Sequence, residues 1–193
     1  MARIKEFSID DVLDKAMDVF WSKGFEATSI QDLVNAMGIN RGSIYDTFGN
    51  KTRLFNLTLS RYQLNAPTQK LVDNVNTGNP RKEIEDFFTR LLMRHNCPQE
   101  KRGCLITNSF VELANLDESI ARHFQKHIKQ TEDALYTLIK RGQEIGDITP
   151  WRDPRSLARS IFASAQGIIV ISKINLGQEV LSDIASTALA SLD

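Results

Sequence analysis

Cysteine is scarce in this chain of 193 residues: only Cys97 and Cys104 occur, too few for a disulfide framework. Their spacing matches no compact zinc pattern, so small apolar packing is their expected role. An excess of either charge is also missing, because 24 basic residues face 24 acidic ones. Global charge therefore gives nucleic-acid binding no support, but it does not exclude a local basic face. Long hydrophobic runs are absent. The most apolar stretch, Ile168 to Ile171, is far shorter than a membrane span, and no basic, apolar leader opens the chain. A soluble, cytoplasmic protein without a membrane partner is expected.

Catalytic signatures are missing too. The sequence has no nucleophile elbow, phosphate loop or dinucleotide fingerprint. His123 and His127 stand four apart on an expected helix, but the segment reads HFQKH rather than HExxH, which makes them ordinary surface histidines. No enzyme, metal or cofactor is expected.

What is present is a helical pattern in an ordinary globular composition, 41% hydrophobic and 25% charged. From Ser8 onward, Ile9, Val12, Leu13, Ala16, Val19 and Phe20 recur at three- and four-residue steps, and Gly24 ends the run. A second helix is expected after Thr28, with the Thr28 hydroxyl as cap and Gln31 reaching back. Gly38 breaks it, Ile39 plugs the space between helices, and Asn40 caps a short third helix from Arg41 to Phe48. A fourth begins near Lys51, with Leu54, Phe55, Leu57 and Leu59 inward.

Residues 67–80, rich in Asn, Gly and Pro, read as a loop. Further helices are expected at about Arg81–His95, Gly103–Leu113, Glu118–Gly142, Pro154–Lys173 and Gln178–Leu192. The total is about nine. The fold class is all-α: a three-helix head with a helix-turn-helix, residues 1–52, joined to a helical ligand-binding and dimerisation body, residues 53–193. The last two helices carry more apolar surface than one internal contact needs. Leu157, Ile161, Ala165, Ile168, Leu181, Ile184 and Ala188 are therefore the expected dimer interface.

The segment TSIQDLVNAMGINRGSIYDTFGNKTRLF, preceded by Gly24 and Phe25, resembles the TetR family of bacterial transcriptional regulators. The resemblance rests on the Ile30, Leu33 and Val34 face, Gly38, Tyr45, Phe48, Gly49, Lys51, Leu54 and Phe55. It implies a homodimer on double-stranded operator DNA, released by a small-molecule effector. It also implies DNA contacts from Thr28, Ser29, Arg41, Ser43, Tyr45 and Lys51. Asp46 departs from the aromatic or histidine common after the tyrosine.

The residues support that reading physically. Hydroxyls and free N–H groups at a helix start can grip a phosphate, which suits Thr28 and Ser29. Arg41 reaches a guanine edge or the backbone; Gly42 and Ser43 keep bulk low for close approach. Tyr45 can donate to a phosphate, and Lys51 offers a charge-assisted contact. Arg3 and Lys5 form either a basic arm or a plain solvated terminus. For the effector, the body offers Phe87, Phe88, Leu91, Leu92, His95, Cys104, Asn108, Phe110, Phe124, His127, Phe162 and Gln166. A helical interaction module without DNA specificity, or an activator, is the alternative.

Overall fold

The computed structural model describes residues 7–95, 102–113, 118–174 and 176–193, and these are helical without a strand. In chain order the helices are α1 (Ile9–Lys23), α2 (Ile30–Met37), α3 (Arg41–Phe48), α4 (Lys51–Leu64), α5 (Pro67–Asp73), α6 (Pro80–His95), α7 (Leu105–Leu113), α8 (Glu118–Ile145), α9 (Pro154–Ile171) and α10 (Gln178–Ala190). A 3₁₀ turn, Ser172–Ile174, follows α9. Arg3, Lys5, Cys97 and the His95 side chain lie outside the described residues.

Two compact packing units result: residues 1–65 with 108–123, and residues 66–107 with 124–193. Helices α7 and α8 each contribute to both. In the first unit, α1 packs against α2 and α4. Its apolar stripe of Val12, Leu13, Ala16 and Phe20 is buried as the spacing demands. Phe55 meets Phe20 edge-on at 4.9 Å and Phe25 at 4.9 Å, so α4 and the α1–α2 turn share one aromatic centre. Arg61 fastens α4 to α1 from outside, donating to Asp14 at 2.7 Å and to Asp10 at 2.9 Å.

The second unit is built on Leu71, Ile84, Phe87, Phe88, Leu135, Leu138, Ile139, Leu157, Ile161 and Ile168, all buried. Pro154–Ile174 is long and apolar enough to cross a membrane by length and composition, with mean hydropathy 1.3. Its first two turns are nonetheless charged: Arg155 bonds Glu132 at 3.0 Å and Asp133 at 2.7 Å, and Arg159 bonds Glu132 at 3.2 Å.

Three sequence expectations change. Residues 67–73 are helical, not loop, because Pro67 stands at the first helical position, where its missing N–H costs nothing, and Leu71 is fully buried. The cap of α2 is Ser29, not Thr28, and the partner is Asp32, not Gln31. Leu57 is 39% exposed, on the opposite side of α4 from Leu54, Phe55 and Leu59.

Candidate nucleic-acid interface

Most of the residues expected to meet DNA lie on or at the start of α2 and α3, and the caps of these helices fix how the chain enters them. At the start of α2 the Ser29 hydroxyl accepts from the Asp32 N–H at 3.1 Å, while Asp32 accepts from the Ser29 N–H at 2.9 Å. Lys23 completes the cluster, donating to Asp32 at 2.6 Å. This Lys23 bond, followed by those from Ser29, holds the Asp32 carboxyl far below the usual carboxylate range. Met37 is followed by Gly38 in the left-handed conformation, φ 71°, which turns the chain toward α3. Asn40 then accepts from the Ser43 N–H at 2.8 Å.

Arg41, Gly42, Tyr45 and Asp46 are exposed along α3, whereas Ile44 and Phe48 are buried and fix the helix to the head. Arg41 lies 5.7 Å from the Tyr45 ring centroid, so cation and phenol form one exposed pair. A Cβ on Gly42 would stand 3.3 Å from Asn40 Oδ1, pressing on the cap. Lys51 starts α4 with its ammonium 4.4 Å from the Phe25 ring centroid and 3.5 Å from the Glu26 carbonyl. Ser29 thus stands at the start of α2, while Arg41, Gly42, Ser43 and Tyr45 follow along α3. Thr28 does not join them: it is 1% exposed and its hydroxyl donates to the Gly24 carbonyl at 2.6 Å. Its N–H also donates to the Phe25 carbonyl at 3.2 Å, so Thr28 helps close the α1–α2 turn.

The model described as bacterial regulatory proteins, tetR family, matches residues 12–57, and the tetracyclin repressor-like C-terminal domain matches residues 80–188. The chain belongs to the TetR family. It is a DNA-binding transcriptional regulator. It is 33% identical over 195 residues to the uncharacterised HTH-type transcriptional regulator YezE of Bacillus subtilis, covering 100% of both chains. The HTH-type transcriptional repressor ComR of Escherichia coli is 30% identical over 188 residues, covering 97% of this chain and 90% of that one. Among solved structures, a cysteine mutant of the TetR-family regulator CifR in complex with 26-bp double-strand operator DNA superposes with a TM-score of 0.86. That chain is 25% identical, with complete coverage of both.

Within this TetR-family body the effector candidates are dispersed. Phe88 and Phe124 are buried, and Phe88 meets Phe87 edge-on at 5.7 Å in the core. Phe110 is 43% exposed. Leu92 and Phe162 are half-buried against the core, and Cys104 is a half-buried free thiol. The Gln166 carbonyl accepts from the Thr107 hydroxyl at 2.9 Å, joining α7 to α9, while Asn108 and His127 are half-buried. A separate cleft of about 430 Å³ between α8 and α9 is lined by Gln125, Ile128, Lys129, Glu132, Asp133, Arg155 and Arg159, none of them an effector candidate.

The expected dimer residues are corrected by their burial. Leu157, Ile161, Ala165, Ile168, Leu181 and Ala188 lie in the core of their own protomer; only Ile184 is half-buried. An apolar stripe satisfies the nearest core first, so the free apolar surface is on the other side: Val170, Ile174, Leu176 and Val180 are 51%, 67%, 55% and 37% exposed. The sequence reading also passed over two groups. Arg90 on α6 has Nε and Nη2 buried without a hydrogen-bond partner among the described residues. Glu112 on α7 binds the backbone of the α1–α2 turn.

Proposed function

We propose that this regulator is a dimeric repressor which leaves an approximately palindromic operator when a small molecule binds its body. The observation that carries the reading is the exposed Arg41–Tyr45 pair beside Gly42 and Ser43 on a capped helix, with Lys51 at the next helix start. Residues 1–52 do the reading: Ser29 offers a hydroxyl and helix-start N–H groups to a phosphate, Arg41 reaches a base edge or the backbone, and Tyr45 and Lys51 grip phosphates. Thr28 serves them from within the turn. Residues 53–193 bind the effector and the second subunit, the latter through Val170 on α9, Ile174 and Leu176 in the connection after it, and Val180 and Ile184 on α10. Two heads then meet major-groove faces about 34–36 Å apart, or a multiple of that.

Resemblance to the repressor ComR supports repression rather than activation. Effector occupancy shifts α4, the helix that follows the reading unit, and so alters the spacing of the heads. Selection of duplexes from a randomised pool tests the reading. Enrichment of a palindrome whose affinity falls steeply with salt is expected; a salt-insensitive protein that enriches no sequence is an interaction module instead. Metabolite screening for release from the selected duplex then identifies the effector.

A further inference from the structure

Glu112 stands one residue before the end of α7, and its carboxylate accepts two backbone hydrogen bonds at once. Phe25 N–H donates to Oε2 at 3.2 Å and Glu26 N–H to Oε1 at 2.9 Å. Two successive N–H groups aimed at one carboxylate form a charge-assisted, geometrically specific grip. The turn is shaped to receive it. Gly24 has φ +83°, a backbone that favours glycine, and a Cβ there would lie 2.9 Å from Glu112 Oε2 and push the carboxylate off its seat.

The same two residues meet Lys51 by other atoms. The Phe25 ring lies under its ammonium, and the Glu26 carbonyl accepts from it. Phe25 also packs on Phe55, and its carbonyl accepts from the Thr28 N–H at 3.2 Å, directly before the Ser29 cap. One carboxylate therefore fixes the peptide on which a DNA-contacting lysine and the start of α2 both depend.

We propose that Glu112 is a positioning residue for DNA recognition: from α7 it holds the Phe25–Glu26 peptide, and through that peptide it sets the pose of Lys51 and of the α2–α3 pair against the duplex. Glu112 lies in the same packing unit as the turn it binds.

The inference rests on the DNA-reading proposal but is separable from it. Full-length wild type and Glu112→Gln are compared in two measurements. In hydrogen exchange without DNA, Glu112→Gln should speed exchange in residues 24–31 and leave the core of α1 unchanged. In titrations of the duplex selected by wild type, and of duplexes with half-sites moved by one base pair, the variant should bind the parent about tenfold more weakly, the scale of losing a hydrogen bond to a charged group. Its preference for the parent spacing should also narrow. Glu112→Asp should restore part of both effects. Unchanged exchange in the turn overturns the proposal whether or not a duplex is selected. Weaker binding that follows a lower melting temperature, with spacing preference intact, also overturns it by leaving Glu112 a stability role alone.

Discussion

At the level of single side chains, the proposed function assigns base contact and phosphate contact to different residues. Arg41 stacks beside Tyr45 with its guanidinium free to extend, while Lys51 is held at the turn. If Arg41 reads a guanine, Arg41→Ala costs about 1–3 kcal/mol on the selected duplex and relaxes preference at one position, measured by competition with singly substituted duplexes. Lys51→Ala should instead weaken all duplexes alike and reduce the salt slope by about one per head. Equal salt slopes in wild type and Lys51→Ala would remove Lys51 from the interface.

Asp32 gives a pH signature. Its carboxyl titrates far below the ordinary range because Lys23 and Ser29 donate to it. A group depressed in the fold contributes its stability above its unfolded value, about 3.9, and loses it as pH falls toward the folded value. Asp32→Asn should therefore be less stable than wild type at pH 7, and urea denaturation should show the gap closing below about pH 4. Arg90 makes the opposite kind of prediction. Its Nε and Nη2 are buried without a hydrogen-bond partner among the described residues, which opposes folding, so Arg90→Met should raise the urea midpoint. A midpoint below that of wild type would mean that the guanidinium has stabilising contacts of another kind.

At the level of elements, α2 and α3 are eight residues each, too short to persist alone, so the head depends on caps and on the helices beneath. Gly38 is the sharpest test. Nothing stands within 4 Å of a Cβ built there, so Gly38→Ala pays only for the left-handed backbone, about 1–2 kcal/mol by chemical denaturation. Legibility also varies by element. The periodic stripe of α1 was readable because its apolar spacing and its own cap agree. The cap of α2 is ambiguous in the sequence because Thr28 and Ser29 offer the same hydroxyl, and only the position of the buried Thr28 chain distinguishes them. Helix α5 was hidden by the Asn and Gly residues that follow it. Its support is Leu71, whose burial is a tertiary fact.

For the whole molecule, dimerisation depends on surface left over after each protomer has folded. Val170→Asp with Ile174→Asp should yield a monomer by sedimentation while helicity remains, because both positions are already exposed within the protomer. Ile161→Asp should instead unfold the body, since Ile161 is fully buried. A dimer that survives Val170→Asp with Ile174→Asp would place the interface elsewhere.

The sequence by itself determined an all-helical chain with a helix-turn-helix near its start, because helix periods, caps and breakers act over a few residues and are written locally. The DNA contacts of Thr28, Ser29, Arg41, Ser43, Tyr45 and Lys51 are implied by resemblance to the TetR family rather than by local spacing, and they stay a proposal. Tertiary structure alone decided which apolar stripe of α9 and α10 faces inward, that Thr28 is enclosed, and that Glu112 grips a turn 86 residues away. Those outcomes depend on which surfaces compete for burial and on backbone groups brought together by folding, and neither leaves a trace in local residue spacing.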